Sequence, residues 1–266
     1  MSQRRWIQCA NPELAHIITQ ALTHEEWLIN LHLLYELNAW KCDKQFIKLF
    51  TTVRFNNKKR LIDFLEQKVE AVEGFSKFSE GYVLGNGENE EIMINVMAKR
   101  VTTTKRQILY LFYIIHRFIK IKEDVRSQGL VGKVLYIVSG RALHSHLEGK
   151  KIIEAVFKVM KLINSDTDAQ NFMKLLFAPS FNVALCELFV AAADLSQHIS
   201  TPGTEPSGTS NMKYIMNGGL LVGSRDGANL EIEKEVGQQN IYMFGSDKNR
   251  LYAYQKFVID RFFDSV

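Results

Sequence analysis

The amino-acid sequence predicts an α/β fold in which a parallel β-sheet carries helices on both of its faces. Compact apolar runs such as KVLYIV at 133–138 have the length and the β-branched content of buried strands. Amphipathic segments separate these runs, and glycine-containing turns lie between them. Strands that alternate with helices are typical of a parallel sheet with both faces covered.

The composition is that of an ordinary globular protein. The chain has 266 residues, of which 46% are hydrophobic and 23% are charged, and this predicts one large domain or two small ones. The net charge of +4 is small, so it gives no indication of nucleic acid or an anionic membrane as a partner. Basic clusters such as Lys58-Lys59-Arg60 are interpreted as solvated helix faces.

Three cysteines, Cys9, Cys42 and Cys186, lie far apart and form no C-x-x-C pair. This spacing favours neither a disulfide framework nor a zinc site, and it fits a reducing, cytoplasmic compartment. The N-terminus has no apolar signal region, and the most apolar run, 108–119, is too short to span a bilayer. We therefore expect a soluble protein.

The elements of the first half follow from the spacing of apolar residues. Residues 12–47 show helical spacing that predicts two or three amphipathic helices, and a further helix is expected over 58–69. The Gly-, Ser- and Glu-rich stretch 73–91 is expected to be a loop or insertion. A short strand over 91–98 precedes a strongly apolar helix over 104–122, which should be buried on most of its faces.

The second half repeats the strand and helix alternation. The strand at 133–138 is followed by a Ser139-Gly140 turn signal. The next expected elements are a helix over 150–163, a strand near 172–177, a helix over 182–192, a strand over 220–222, a turn at 226–229 and a helix over 231–236.

A cluster of cations lies where the first strand ends. The loop KRVTTTKR at 99–106 places Lys99, Arg100, Lys105 and Arg106 with three hydroxyls just before a helix. Ligands of parallel sheets bind beyond the carboxyl ends of the strands, and cations there bind phosphate strongly. The loop is thus either an anion site or a positive edge that solvates the helix start.

The loop after the second strand, SGRALHSH at 139–146, resembles a phosphate loop only loosely, because it has one glycine where several are usual. The histidines His144, His146 and His198 show no spacing typical of metal ligands. Core or surface roles are expected for all three.

Lys213 lies inside a segment that otherwise looks built for burial. Residues 205–211 are small and polar, whereas 214–216 and 220–222 are apolar. Ser207-Gly208-Thr209 offers an N-cap for a helix that carries the lysine. Partial desolvation would favour a neutral amine, which is a nucleophile able to form a Schiff base. The alternative is a lysine that covers apolar surface while its ammonium reaches water.

The lysine region resembles that of the α-1,4-glucan phosphorylases, the glycogen and starch phosphorylases. Residues 195–232 read LSQHISTPGTEPSGTSNMKYIMNGGLLVGSRDGANLEI, and the family pattern is E-A-S-G-T-(G/S)-N-M-K, then N-G and D-G-A-N. RRWIQCANPELA at 4–15 is similar to the family's R-R-W-L-x-x-x-N-P-x-L-A. The resemblance implies a Rossmann-like domain, like the C-terminal domain of a GT-B-type glycosyltransferase.

The resemblance also implies a reaction, phosphorolysis of α-1,4-glucan by inorganic phosphate to glucose 1-phosphate with pyridoxal 5'-phosphate as cofactor. For the cofactor, the resemblance implies Lys213 as the Schiff-base lysine, with Thr209 and Lys99 beside the cofactor phosphate. It implies Lys99, Arg100 and Lys105 as the catalytic cations that gather the two phosphates. For the glucosyl unit it implies Glu205, Ser207 and Gly208.

The sequence departs from the family pattern in two loops. Residues 101–104 are Val-Thr-Thr-Thr where the family has I-H-E-Y, and SGRALHSHL at 139–147 replaces G-G-K-A-A-P-G-Y-H. The resemblance further implies that residues 1–266 are a single incomplete C-terminal domain. Its partner would be the missing N-terminal half or a second copy in a homodimer.

Two hypotheses about function follow from the sequence. The chain is a phosphorylase fragment, or it is a catalytically inactive remnant that acts as a cofactor-binding, sugar-binding or scaffold protein.

Overall fold

The structure is a computed structural model that describes residues 3–68, 92–123, 132–204, 208–246, 250 and 252. The loop or insertion predicted at 73–91 lies outside these residues, as do Glu205 and Ser207. Three-letter bounds below are those of the described helices and strands.

The core of the fold is a sheet of six parallel strands in the order β3-β2-β1-β4-β5-β6. The order reverses between β1 and β4, and ligands of open parallel sheets bind at the carboxyl ends of the strands beside such a point. The strands are β1 Met93–Ala98, β2 Val134–Gly140, β3 Met173–Pro179, β4 Leu195–His198, β5 Leu220–Ser224 and β6 Tyr242–Phe244. This confirms the predicted fold class.

Helices pack on both sides of the sheet, as predicted. Those described are α1 Gln3–Ala10, α2 Pro12–Leu22, α3 Lys44–Lys68, α4 Gln107–Glu123, α5 Leu147–Ser165, α6 Val183–Ala192, α7 Ser210–Met216 and α8 Ala228–Val236, with a ten-residue 3₁₀ helix at Leu31–Trp40. Alternate residues of β1 point to opposite faces. Ile94 and Val96 pack with α1, α3, α6 and α7, whereas Met97 packs with α4 and α5.

The helix predicted to begin near 58 was placed wrongly. One continuous helix, α3, runs over 25 residues from Lys44 to Lys68. No glycine or proline interrupts this stretch, so nothing in the backbone chemistry ends the helix near residue 47. Val53, Leu61 and Leu65 are buried along its length, and this packing stabilises the helix across its polar centre.

The interpretation of Lys58 as part of a solvated face was wrong. Its side chain is 3% exposed, and its ammonium lies 2.8 Å from the carboxylate of Asp194. Arg54 donates to the same carboxylate at 2.9 Å, and the second carboxylate oxygen accepts from the backbone of Ile94 at 2.8 Å. The buried charges are thus paired, as burial requires. They fasten α3 to the starts of β1 and β4.

Helix α4 is less buried than the sequence predicts. Tyr110, Leu111 and Ile114 pack on the sheet, but Phe112 is 62% exposed and Tyr113 is 44% exposed. These two side chains border an open apolar groove whose far side includes Tyr242 and Phe244 of β6. Within the described ranges, no helix has the length and apolar character needed to cross a membrane.

Candidate functional site

A small recess opens at the carboxyl ends of β1, β4 and β5, beside the point where the strand order reverses. The space in and above it, open solvent included, is about 240 Å³. Its lining residues are Lys99, His198, Ser200, Gly208, Asn211, Ser224, Asp226, Ala228 and Asn229. The lysine segment, 208–229, contributes six of these nine residues, the end of β4 contributes His198 and Ser200, and the cation loop, 99–106, contributes Lys99.

The cation loop is folded by its own threonines. The Thr102 hydroxyl accepts from the backbone N–H of Lys105 at 3.3 Å and lies 3.0 Å from the hydroxyl of Thr104. A short 3₁₀ turn, Thr103–Lys105, results. Lys99 lines the recess, whereas the side chain of Arg100 is exposed. The loop therefore presents cations both to the recess and to its mouth.

Arg106 does not belong to the predicted group of four phosphate-binding cations. Its guanidinium donates to the backbone carbonyls of Ile199 and Ser200 at the end of β4 and lies 5.7 Å from the ring centroid of Phe244. Partial burial lowers its pKa. The side chain therefore ties the helix start to β4, and the sequence could not show this because its acceptors are backbone carbonyls distant in the chain.

The second loop, after β2, is not built for phosphate. Ser139 and Gly140 continue strand β2 rather than forming a turn after it. A Cβ atom on Gly140 would lie 2.1 Å from the carbonyl oxygen of Lys99, so glycine is needed for close approach of the two strands. His146 accepts from the Gly149 N–H at 2.7 Å and caps α5.

Lys213 lies on α7, the short helix that follows the recess. Thr209, from the stretch 207–209 that was predicted to provide the N-cap, holds the N-cap position of this helix, but its side chain makes no capping hydrogen bond. Instead Asn211 orients the helix start, since its amide nitrogen donates to the Asn229 side chain at 3.1 Å and its oxygen accepts from the Met212 N–H at 2.9 Å.

The amine of Lys213 is directed at an aromatic surface. The side chain is half-buried, and Nζ lies 4.9 Å from the ring centroid of Trp6. An ammonium over an indole face is stabilised by the ring quadrupole. Cys186 is also near: burial raises the pKa of its thiol, and the charge of Lys213 opposes that rise. The amine of Lys213 thus lies near an indole ring and a buried thiol.

His198 lies in the wall between the recess and the core. Burial, and then the charge of Lys99, lower its pKa well below the usual range, so the imidazole is neutral. Its Nε2 lies 3.2 Å from the Ser196 hydroxyl, and its ring meets Tyr214 edge to face at 5.7 Å between centroids. The residue is a core histidine, one of the two roles expected from sequence.

The turn at 226–229 does more than reverse the chain. The amide nitrogen of Asn229 donates to the backbone carbonyls of His198 at 3.0 Å and Ser224 at 3.1 Å. Its oxygen accepts from Asn211. The Ser224 hydroxyl donates to the carbonyl of Ser200 at 2.6 Å. The ends of β4 and β5 are therefore bonded to the lysine helix through one buried asparagine.

Comparison with known proteins decides the family. The sequence model of the carbohydrate phosphorylase family matches residues 1–261. The chain belongs to this family. It is 34% identical to glycogen phosphorylase of Saccharomyces cerevisiae over 255 residues, which cover 92% of this chain and 27% of the yeast protein.

Other phosphorylases match over similar stretches. Glycogen phosphorylase 2 of Dictyostelium discoideum is 35% identical over 98% of this chain and 24% of its own length. The chloroplastic/amyloplastic alpha-1,4 glucan phosphorylase L-2 isozyme of Solanum tuberosum is 34% identical over 96% of this chain and 25% of its own length. The chain thus spans about a quarter of the phosphorylases that it matches.

The structure brings some of the predicted phosphorylase residues together. Lys99 and Gly208 line one recess, and Lys105 lies in the turn beside it. Lys213 is two residues beyond Asn211, which lines the recess, but its amine is over Trp6. Sequence reasoning missed Trp6 and the asparagines as site residues. The motifs that contain these residues could have indicated them, since Trp6 lies in the RRW motif and Asn229 in D-G-A-N.

Arg100 and Thr209 are not among the residues that line the recess, and Glu205 and Ser207 lie outside the described residues. The side chains of Arg100 and Thr209 are exposed at the ends of the two loops. Within the parts of the chain that the structure describes, no three His, Cys, Asp or Glu side chains cluster as metal ligands would.

Proposed function

We propose that this chain is the cofactor-lysine region of a glucan phosphorylase, in which pyridoxal 5'-phosphate is held by the amine of Lys213. The reaction is phosphorolysis of α-1,4-glucan by inorganic phosphate to glucose 1-phosphate. One observation carries the proposal: the Lys213 amine lies 4.9 Å above the Trp6 ring, on a helix whose first turn lines the recess that contains Lys99.

The residues present fit this cofactor. A primary amine can condense with an aldehyde, and the half-buried Lys213 lies on the helix whose first turn lines the recess. Thr209 and Lys99 supply a hydroxyl and a cation for the cofactor's phosphate. When bound, the cofactor supplies a phosphate group as an acid and base beside the substrate phosphate.

The chain's own residues bind and orient the substrates. Lys99, Arg100 and Lys105 would draw the two phosphates together by charge-assisted hydrogen bonds, which offset their mutual repulsion. Glu205, Ser207 and Gly208 would hold the glucosyl unit. Asn211 and Asn229 keep the walls of the recess in place, so the donors do not have to reorganise as charge develops.

We also propose that residues 1–266 form a single incomplete domain of the C-terminal half, with 73–91 as a loop or insertion. The relatives are about four times as long as the stretch that matches. The partner would be the N-terminal half or a second copy in a homodimer, and neither nucleic acid nor a membrane is proposed. The compartment would be the cytoplasm.

An inactive remnant is a second candidate because of the cation loop. The family's histidine and tyrosine are replaced by Thr102 and Thr104, whose hydroxyls lie 3.0 Å from each other. Thr102 also accepts from the Lys105 backbone. These hydroxyls are engaged in folding the loop, so the remnant would hold the cofactor or a sugar without turnover.

Cofactor attachment tests the proposal. After incubation with pyridoxal 5'-phosphate, the wild-type chain should gain a near-ultraviolet or visible absorbance band that borohydride reduction fixes as a stable mass increase. Lys213→Ala should abolish both signals and leave the fold intact, because the half-buried side chain carries little of the packing. Lys158→Ala, at an exposed lysine paired with Glu154, is the matched control and should behave as wild type. Wild-type levels of adduct in Lys213→Ala would refute the assignment.

A further inference from the structure

The lysine helix α7 ends on a buried side chain, Asn217. Its exposure is 0%, and its amide nitrogen donates to the carbonyl oxygen of Lys213 at 2.8 Å. The backbone N–H of Asn217 donates to the same oxygen at 3.2 Å. Gly218 follows in a left-handed conformation with φ 82°, and a Cβ there would lie 2.4 Å from the Phe50 ring. The end of the helix is therefore fixed against α3.

The other end of the Asn217 amide is bound to a distant part of the chain. Its oxygen accepts from the amide nitrogen of Asn11 at 3.0 Å. Asn11 is 1% exposed, and its own oxygen accepts from Asn57 at 3.1 Å and from the Leu14 N–H at 3.3 Å. The side-chain nitrogen and oxygen of both amides thus have hydrogen-bond partners, and these bonds join α7, α3 and the junction between α1 and α2.

These bonds join the two sides of the lysine–indole contact. Asn11 directly follows α1, which carries Trp6, and Asn217 directly follows α7, which carries Lys213. The ammonium of Lys213 lies 4.9 Å from the Trp6 ring centroid. We propose that the Asn11–Asn217 pair is a positioning element that sets the Lys213 amine over the Trp6 ring. The inference rests on the proposed cofactor role of Lys213 and deepens it.

A buried amide pair is suited to positioning rather than to stability. A hydrogen bond between neutral groups stabilises the folded state only modestly, because the same groups bond to water in the unfolded chain. Buried polar networks do, however, restrict the packing of their elements to one arrangement when every member is satisfied. Both asparagines meet that condition through the bonds to Lys213, Asn57 and Leu14.

The test compares two variants of the pair with one matched control. Asn217→Ala removes the bond to the Lys213 carbonyl. Asn11→Ser removes the amide that donates to Asn217 but keeps an oxygen that can cap α2. This variant therefore still tests the positioning role if Asn217→Ala fails to fold. The control, Asn164→Ala, removes a partly buried asparagine of α5 that bonds both the N–H and the carbonyl of Leu175 on β3.

The main readout needs no cofactor. Each protein is methylated briefly with formaldehyde and cyanoborohydride, and peptide mass spectrometry gives the labelling of Lys213 relative to the exposed Lys158 in the same digest. Losing the indole contact should raise this ratio about two- to fivefold, the range that corresponds to a surface cation–π contact. Urea unfolding of the same samples gives the loss of stability.

We expect a raised ratio in Asn217→Ala and Asn11→Ser and a wild-type ratio in Asn164→Ala at a comparable loss of stability. An unchanged ratio in the folded pair variants, or an equal rise in the control, would overturn the positioning role. Pyridoxal 5'-phosphate added to wild type reports separately on the proposed function. A wild-type chain that forms no reducible adduct would sink the cofactor proposal, whereas the labelling ratios would still decide the role of the pair.

Discussion

The two stretches that wall the recess are held in place in different ways. The lysine segment is fixed by side chains from distant parts of the chain: Asn217 bonds Asn11 across 206 positions, and Asn229 bonds the end of β4. The cation loop is fixed by the Thr102 side chain within the loop, by backbone bonds to the ends of β2 and β4, and by the Arg106 guanidinium. The lysine segment is therefore held to distant elements by buried asparagine side chains, whereas the cation loop is held by its backbone, its own threonines and Arg106.

This difference matches the pattern of the sequence. The lysine segment keeps the phosphorylase motif over its whole length, and the cation loop departs from it at 101–104. Locally held residues can be replaced without disturbing the sheet, whereas residues whose partners lie in other elements cannot. We therefore expect cofactor attachment to be retained in this chain and turnover to be the weaker property.

The largest expected effect separates attachment from turnover. The chain purified alone should form the cofactor adduct but produce no measurable glucose 1-phosphate from glycogen and inorganic phosphate. Proximity and preorganised electrostatics in a water-excluded cleft supply much of the rate, and three quarters of each relative lies outside the matched stretch. Lys213→Ala, incubated with the cofactor in the same way, serves as the background, and wild-type turnover clearly above it would show that this region is sufficient.

The next largest effect is a loss of stability that should affect the lysine segment and the cation loop equally. Asp194→Ala leaves the buried cations Arg54 and Lys58 without their carboxylate and releases the start of β1. Removing one partner of a buried ion pair costs about 3–5 kcal/mol, so the free energy of unfolding from urea titration should fall by about that amount. A decrease in the free energy of unfolding below about 1 kcal/mol would show that the cluster of Asp194, Arg54 and Lys58 does not support both stretches.

Substitutions within the cation loop should separate residues that bind the cofactor from residues that stabilise the fold. Lys99→Ala and Lys105→Ala should each weaken binding of pyridoxal 5'-phosphate about tenfold or more, since a hydrogen bond to a charged group is worth about 1.5–3 kcal/mol, while unfolding changes little. Arg106→Ala should do the reverse, because its bonds go to backbone carbonyls. Fluorescence titration and urea unfolding measure the two properties, and equal behaviour of all three variants would remove the distinction.

The smallest effect is a pH dependence in the wall of the recess. Burial and the charge of Lys99 lower the pKa of His198 in the folded state, so the unfolded chain binds more protons as pH falls below about 6.5. The stabilisation by the neutral ring is complete above that pH and is lost as pH decreases. Between pH 7.5 and 5.5, wild type should lose up to about 1.4 kcal/mol more stability than His198→Gln. Identical pH profiles would contradict this.

Much of the fold could be predicted because local spacing determines it. The strands predicted at 133–138 and near 172–177 and the helix predicted over 182–192 agree with β2, β3 and α6. The burial of Lys58 could not be predicted, since its partner Asp194 is 136 positions away. The exposure of Phe112 was missed for a related reason: periodicity shows that a face is apolar but not what packs against it.

The candidate site divides in the same way. The phosphorylase motif identified Lys213, but no local pattern indicated that its amine would lie over Trp6, because the two residues meet only through the packing of α1 against α7. Arg106 was assigned to the anion site from its charge alone, and its carbonyl partners leave no trace in the sequence. The sequence shows which side chains can donate hydrogen bonds, but it often does not show which groups accept them.

The most direct test of the account is to map the residue that carries the cofactor. The wild-type chain would be saturated with pyridoxal 5'-phosphate, reduced with borohydride, digested and analysed so that all lysine-containing peptides are quantified. We expect a single major adduct, close to one per chain, on the peptide that contains Lys213. An adduct centred on Lys99 or Lys105, or spread over exposed lysines such as Lys158, would contradict the claim that the indole-facing amine is the attachment point.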